Sequence, residues 1–241
     1  MRSARFGLLH YLLLFAAPAW AQQAQTATTP SPAPTDPQAV AVVQAAITAL
    51  GGPAAIGKAQ SWTFQAQMQG SHANGKVEYV MSTDTDTGKR IHPDGTMKAA
   101  PPIHSHFVPA LVGVILLKQS QDPTLIIQYG GTTTLDSKPV TVINFVFTVG
   151  NIRIPAQIWT FDAANLPVLI DFKSSAEVGA RQSYPAVVSL SDYRAVSGVL
   201  YPFRISTFLP GRPPQNIAVE SMDADVAVPV NEFNGPGGDL Q

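Results

Sequence analysis

The side chains of this chain that could do chemistry are few and widely spaced. His104-Ser105-His106 places two imidazoles on alternate residues, which on a strand project to one side and could face a zinc or copper ion. No third ligand stands nearby, so the cluster reads as a solvated loop and not a metal centre. Asp84 and Asp86, within the Thr- and Asp-rich stretch 82–90, could pair for acid/base work or hold calcium. They lack the ligand count and the following Glu of a calcium loop, and they read as a hairpin turn. No Gly-x-Ser-x-Gly elbow and no Gly-rich phosphate loop occurs, which makes a hydrolase a remote reading. With zero Cys there is no disulfide, thiolate metal site or cysteine nucleophile. Catalytic residues, cofactor and metal are therefore all expected to be absent, and the chain reads as a non-enzyme.

The remaining side chains of interest are apolar. Trp62, Phe64, Ala66 and Met68 alternate with Thr63, Gln65, Gln67 and Gln69, which gives a strand one apolar and one neutral polar face. Trp159 and Phe161 repeat that alternation. These aromatics either line a ligand cavity or fill a core, and both readings stay open. Phe107 to Lys118 is apolar without alternation, and Pro109 suits the first helical position. We read it as a helix in preference to a short strand. Being apolar on nearly every side, it must be covered on nearly every side. Leu111 and Ile115, four apart, would then point together toward the sheet.

Positioning these groups requires a mostly β chain. Asp36-Pro37 starts a helix, Gly51-Gly52-Pro53 ends it, and Val40, Val43, Ile47 and Leu50 form its apolar stripe. After Trp62 the period is two, with further strands expected near 76–82, 124–134, 138–148, 152–162, 167–174, 184–194, 202–209 and 214–222. Ala73-Asn74-Gly75, Asp136-Ser137-Lys138 and Gly211-Arg212-Pro213 punctuate them. Nine or ten strands in series with short connections predict an antiparallel meander. A sheet curved into a trough would accommodate both helices on its concave face.

Arg2 and Arg5 precede the apolar run Phe6 to Ala17, and Ala19-Trp20-Ala21 supplies the small residues that signal peptidase requires before Gln22. The run is too short for a membrane span, which takes roughly 20 residues. Residues 1–21 are thus expected to be a cleaved signal peptide, 22–36 an Ala/Thr/Pro-rich linker, 37–230 the folded domain and 231–241 a flexible tail. A soluble protein of the periplasm or exterior, without a stable span, is the expectation. The composition is 45% hydrophobic and 13% charged, which excludes disorder for the bulk of the chain. Without Arg2 and Arg5, 13 basic side chains remain against 16 acidic ones, a net −3. The basic residues are scattered, so nucleic acid is not an expected partner.

Three segments carry a family resemblance: ALGGPAAIGKAQSWTFQAQMQG (49–70), IWTFDAANLPVLIDF (158–172) and SDYRAVSGVLYPFRI (191–205). Together they resemble the LolA/LolB-like periplasmic lipoprotein-carrier superfamily, over roughly residues 38 to 230. The resemblance implies an unclosed antiparallel β-barrel, a curved sheet of about 10–11 strands with helices on the concave face, which receives lipoprotein acyl chains or other hydrophobic ligands. Two family features have no counterpart here: the carrier's arginine on an early strand, and the lipidated N-terminal Cys of the receptor. The resemblance makes Trp62, Phe64, Met68, Phe107, Leu111, Ile115, Trp159 and Phe161 the expected ligand-binding residues. The segment Phe107 to Leu117 is the expected plug, and acyl chains or an envelope protein are the expected partners. The competing expectation is a non-catalytic envelope scaffold, with the same sheet filled by its own side chains.

Overall fold

The computed structural model describes residues 35–70, 74–82, 88–91, 94–100, 109–149, 152–175 and 183–227. The chain divides into Met1–Ser31 and Pro32–Gln241. The first unit, with the expected signal peptide, lies outside the described residues, as do most of the linker, the tail, Asp84, Asp86, His104, His106 and Phe107.

The second unit begins at Asp36, whose carboxylate accepts a hydrogen bond from the Gln38 N–H at 2.8 Å and caps helix α1, Pro37–Ala49. Ala39, Val43, Ala46 and Ile47 form its buried stripe, while Val40 is only half-buried. Gly51 and Gly52 end the helix at positive φ of 123° and 86°. Pro53, expected to mark only that end, also opens a second helix: it takes an early position of α2, Pro53–Lys58, because its missing N–H is needed by neither helix.

Eleven strands follow among the described residues: β1 Ser61–Gln69, β2 Gly75–Ser82, β3 Gly88–Ile91, β4 Met97–Ala100, β5 Leu125–Leu135, β6 Lys138–Val149, β7 Ile152–Phe161, β8 Pro167–Ser175, β9 Ser183–Val196, β10 Val199–Phe208 and β11 Gln215–Ala224. All nine expected strands are present within a residue or a few of their expected limits, and β3 and β4 are additional. They form one antiparallel sheet in the order β4-β3-β2-β1-β11-β10-β9-β8-β7-β6-β5. Every neighbour in that order is a sequence neighbour except β1 and β11. The sheet therefore has two free edges, β4 and β5, and is unclosed. Register shifts in the β1–β11, β5–β6, β6–β7 and β7–β8 pairs insert extra residues, and such bulges bend a sheet and increase its twist.

The turns follow from their residues. Leu135 pairs with Lys138 across Asp136-Ser137, and Val196 with Val199 across Ser197-Gly198. All four turn residues have positive φ, the two-residue hairpin geometry whose twist matches the flanking strands. In the β7–β8 turn, the Asp162 carboxylate accepts from the N–H groups of Ala164 and Leu166, both at 2.9 Å. Residues 158–172 and 191–205 thus carry the family resemblance on turn chemistry.

Tyr193 fastens β9 to that corner by donating its hydroxyl to the Pro167 carbonyl at 2.6 Å. Burial, and secondarily the Asp162 charge, push this phenol well above its ordinary value of 10.0. Its stabilising contribution is fully present below pH 10 and is lost as the pH rises through the elevated folded-state value. Tyr193→Phe should therefore give a shallower alkaline loss of stability than the wild type, measured by denaturant titration from pH 8 upward. Identical slopes would show that Tyr193 does not contribute to the alkaline transition.

Between the two edge strands in sequence lies a 3-10 turn, Pro109–Leu111, continued by helix α3, Val112–Gln121. The helical reading of this run holds over those residues. The 3-10 turn packs on β10, and α3 packs on α1, α2 and β5. Gly113 of α3 faces the Ile56 side chain of α2, and a Cβ there would make an ordinary 3.6 Å contact with it.

Candidate functional site

Alternation along each strand sends one set of side chains to the helices. On β1 these are Trp62, Phe64, Ala66 and Met68, all buried, while Gln65 and Gln67 are exposed. Cross-strand register extends this face in both directions. Phe64 pairs with Tyr79 on β2 and Met222 on β11, and Ile205 on β10 pairs with Ile217 on β11 and Leu190 on β9. Val188 pairs with Ile170, Ile170 with Trp159, and Trp159 with Ile143. The result is a continuous apolar surface from β2 to β5. Its side chains and those of the three helices form one hydrophobic cluster. Among the described residues, the buried polar side chains are Ser82 and Thr160, and neither is charged.

Aromatic rings concentrate at two places on this face. Phe64 stacks on Tyr79 with centroids 4.6 Å apart. Next to them the Trp62 indole N–H donates to the Tyr201 hydroxyl at 3.0 Å, and the Tyr79 hydroxyl donates to the Met68 sulfur at 3.3 Å. Burial raises the Tyr201 phenol above its ordinary pKa, and the hydrogen bond from the Trp62 indole opposes that shift in part. The second group lies on β6 and β7: Trp159 meets Phe145 edge to face and stacks on Phe161, with both centroid separations 6.2 Å. Five strand steps separate β1 from β7, roughly 24 Å along the sheet.

Of the expected ligand-binding residues, Trp62, Trp159 and Phe161 are fully enclosed, and Phe64 and Met68 nearly so. Leu111 is fully enclosed as well; it belongs to the 3-10 turn and not to the α-helix proper, one turn before Ile115. Ile115 is half-buried and packs against the same cluster. The seven described candidates therefore share one apolar cluster.

Sequence reasoning missed a polar group on this face. Gln157 occupies an inward position of β7, paired with Phe145 and Phe172, where an apolar residue would continue the pattern. Its amide oxygen accepts from the Trp159 indole N–H at 2.7 Å and from the Gln119 amide of α3 at 2.6 Å. A glutamine two residues before Trp159 was the available signal. Phe147, same-sided with Phe145 near the end of β6, is 40% exposed and marks where the apolar surface reaches solvent.

Such an arrangement can hold apolar surface away from water and offers few polar atoms to a ligand. Among the described residues, no three His, Cys, Asp or Glu side chains gather to hold a metal, and no helix is long and apolar enough to cross a membrane.

No protein-family model and no curated protein matches the chain. Solved structures do. A LolA superfamily protein from Nitrosomonas europaea superposes with a TM-score of 0.50 at 10% identity, covering 81% of this chain and 96% of that one. An outer membrane lipoprotein-sorting protein domain from Vibrio parahaemolyticus gives 0.45 at 11% identity, covering 81% and 95%. A DUF1329 family protein from Desulfovibrio piger gives 0.47 at 9% identity, covering 83% and 98%. At these identities the likeness concerns architecture alone. An unclosed antiparallel sheet, its free edges bridged in sequence by a helix and its apolar face turned to three helices, is a LolA-like fold, and that is the fold of this chain.

Proposed function

We propose that this chain is an exported, non-enzymatic protein of the cell envelope that holds an acyl chain or a similar amphiphile against the inner face of its sheet. The observation that carries the reading is the cover of that face. A continuous, uncharged apolar surface is covered by three helices, of which α3 packs on the edge strand β5 and has no side-chain hydrogen bond at its N-terminal cap. Such an element is held mainly by packing, beside the Gln119 amide that donates to Gln157 on β7, and a ligand with equivalent apolar surface can replace that packing. At about 25 cal/mol per Å² buried, one long acyl chain supplies several kcal/mol without a charged anchor. The expected signal segment at residues 1–21 and the linker at 22–36 supply the reading of export.

The plug and the ligand then compete. Leu111→Ala/Ile115→Ala removes contacts made only when the cover is seated, so it should lower global stability by about 2–3 kcal/mol and strengthen acyl binding severalfold. Titration of wild type and variant with a fluorescent fatty acid, at a temperature where both are folded, measures this. A second reading, a scaffold module with a self-filled core, is favoured by the complete burial of Trp62, Trp159, Phe161 and Leu111. It expects the stability loss alone. Absence of saturable binding by either protein would defeat the carrier reading and leave the scaffold.

A further inference from the structure

The amide pair between α3 and β7 has a definite orientation. An indole N–H can only donate, so the Gln157 atom 2.7 Å from Trp159 Nε1 must be its oxygen. The Gln119 atom 2.6 Å from that same oxygen must then be a donor, its Nε2. Gln119 Oε1 is consequently turned the other way. It is buried and has no hydrogen-bond partner among the described residues. A buried carbonyl oxygen left unpaired costs about 1–3 kcal/mol, and native proteins rarely leave one so. Neither amide can flip to relieve it, because the Trp159 N–H fixes the first and the first fixes the second.

The amide pair lies on the apolar face of the sheet. Gln157 is flanked by Phe145 and Phe172 across the register, and Ile115 lies one turn before Gln119 on the same helix. The exposed ring of Phe147 stands two residues along β6 from Phe145, toward the end where the surface meets solvent. We propose that Gln119 Oε1 is the acceptor for a hydroxyl or amide N–H carried by the bound amphiphile, with Gln157 and Trp159 as the residues that aim it. The inference rests on the acyl-binding reading and adds to it a ligand class: chains whose polar end donates a hydrogen bond. A ligand end that only accepts leaves Gln119 Oε1 unpaired, whatever it takes from the remaining N–H groups of the two amides.

The test uses two probes with the same alkyl chain, a long-chain fatty alcohol and its O-methyl ether, which differ by the loss of one donor. The mature chain should bind the alcohol about tenfold more tightly than the ether in competition with a fluorescent fatty acid. Gln119→Leu, close in volume but without the acceptor, should bring the ratio near one while ether affinity is retained; Gln119→Met serves if the leucine variant does not fold. Equal affinity of the wild type for both probes means that water serves the oxygen equally well, and it overturns the assignment without touching acyl binding. Failure of the wild type to bind either probe overturns both.

Discussion

Replacing Trp62 with Ala is expected to cost about 4–6 kcal/mol. Deleting a buried tryptophan removes its packing and leaves a cavity, about 3–5 kcal/mol in close-packed cores. It also strips the Tyr201 hydroxyl of the indole N–H that donates to it at 3.0 Å, in a place without ready solvent. The two contributions separate by substitution. Trp62→Phe keeps most of the volume and loses the hydrogen bond, so it should cost about 1–3 kcal/mol, and Tyr201→Phe should cost a similar amount by orphaning the indole. Gln65→Ala, on the exposed face of the same strand, should stay within about 0.5 kcal/mol. Urea denaturation of the four variants decides the matter. A Gln65→Ala loss equal to that of Trp62→Ala would show that the strand faces the other way, and a small Trp62→Ala loss together with weakened acyl binding would make Trp62 a cavity wall.

The second large effect is expected at Gly51. Its φ is 123°, which side-chain-bearing residues rarely adopt, and a Cβ built there would lie 2.3 Å from the Gly198 carbonyl oxygen. That oxygen belongs to the β9–β10 hairpin, which docks on the helix end through the Leu200 N–H donating to the Leu50 carbonyl at 2.9 Å. Neither backbone can yield without giving up that bond. Gly51→Ala should therefore cost about 3–5 kcal/mol, from backbone strain and forced separation together. Gly52, at φ 86° but facing open space, isolates the strain, and Gly52→Ala should cost about 1–2 kcal/mol. Thermal unfolding of the pair is the measurement. Equal losses would show that the hairpin does not press on the helix end.

How far the sequence discloses this molecule depends on the length of each signal. Strands such as β6 and β9, twelve and fourteen residues long, repeat their period often enough to be read directly. β3 and β4 have four residues each, Gly88–Ile91 and Met97–Ala100, too few for alternation to register against their Gly and Lys content. Pro53 was legible as a boundary but not as a beginning, because proline excludes the interior of a helix and suits the start of the next one equally. The inward set of β1 was legible through Trp62, Phe64 and Met68. The partnership of Trp62 with Tyr201 was not, since it joins residues on strands that are not even neighbours in the sheet. Gln157 escaped for the opposite reason: a polar residue on an inward position breaks the very pattern by which inward positions are recognised, and only Gln119 from another element explains it.

The pairing of the first strand with the last has a consequence for assembly in time. β5 to β11 form an uninterrupted run of hairpins, each able to close as soon as its second strand exists. β1 to β4 form another. The seam between them joins Trp62 to Ala224 and Met68 to Ile217, separations of nearly the whole domain, so its loop-closure entropy is met last. A newly made chain must keep the β1 edge unpaired until its final strand arrives, with Trp62, Phe64 and Met68 still uncovered. Any chain ending before Gln215 leaves that edge without its partner permanently, and such truncated products are predisposed to pair with one another.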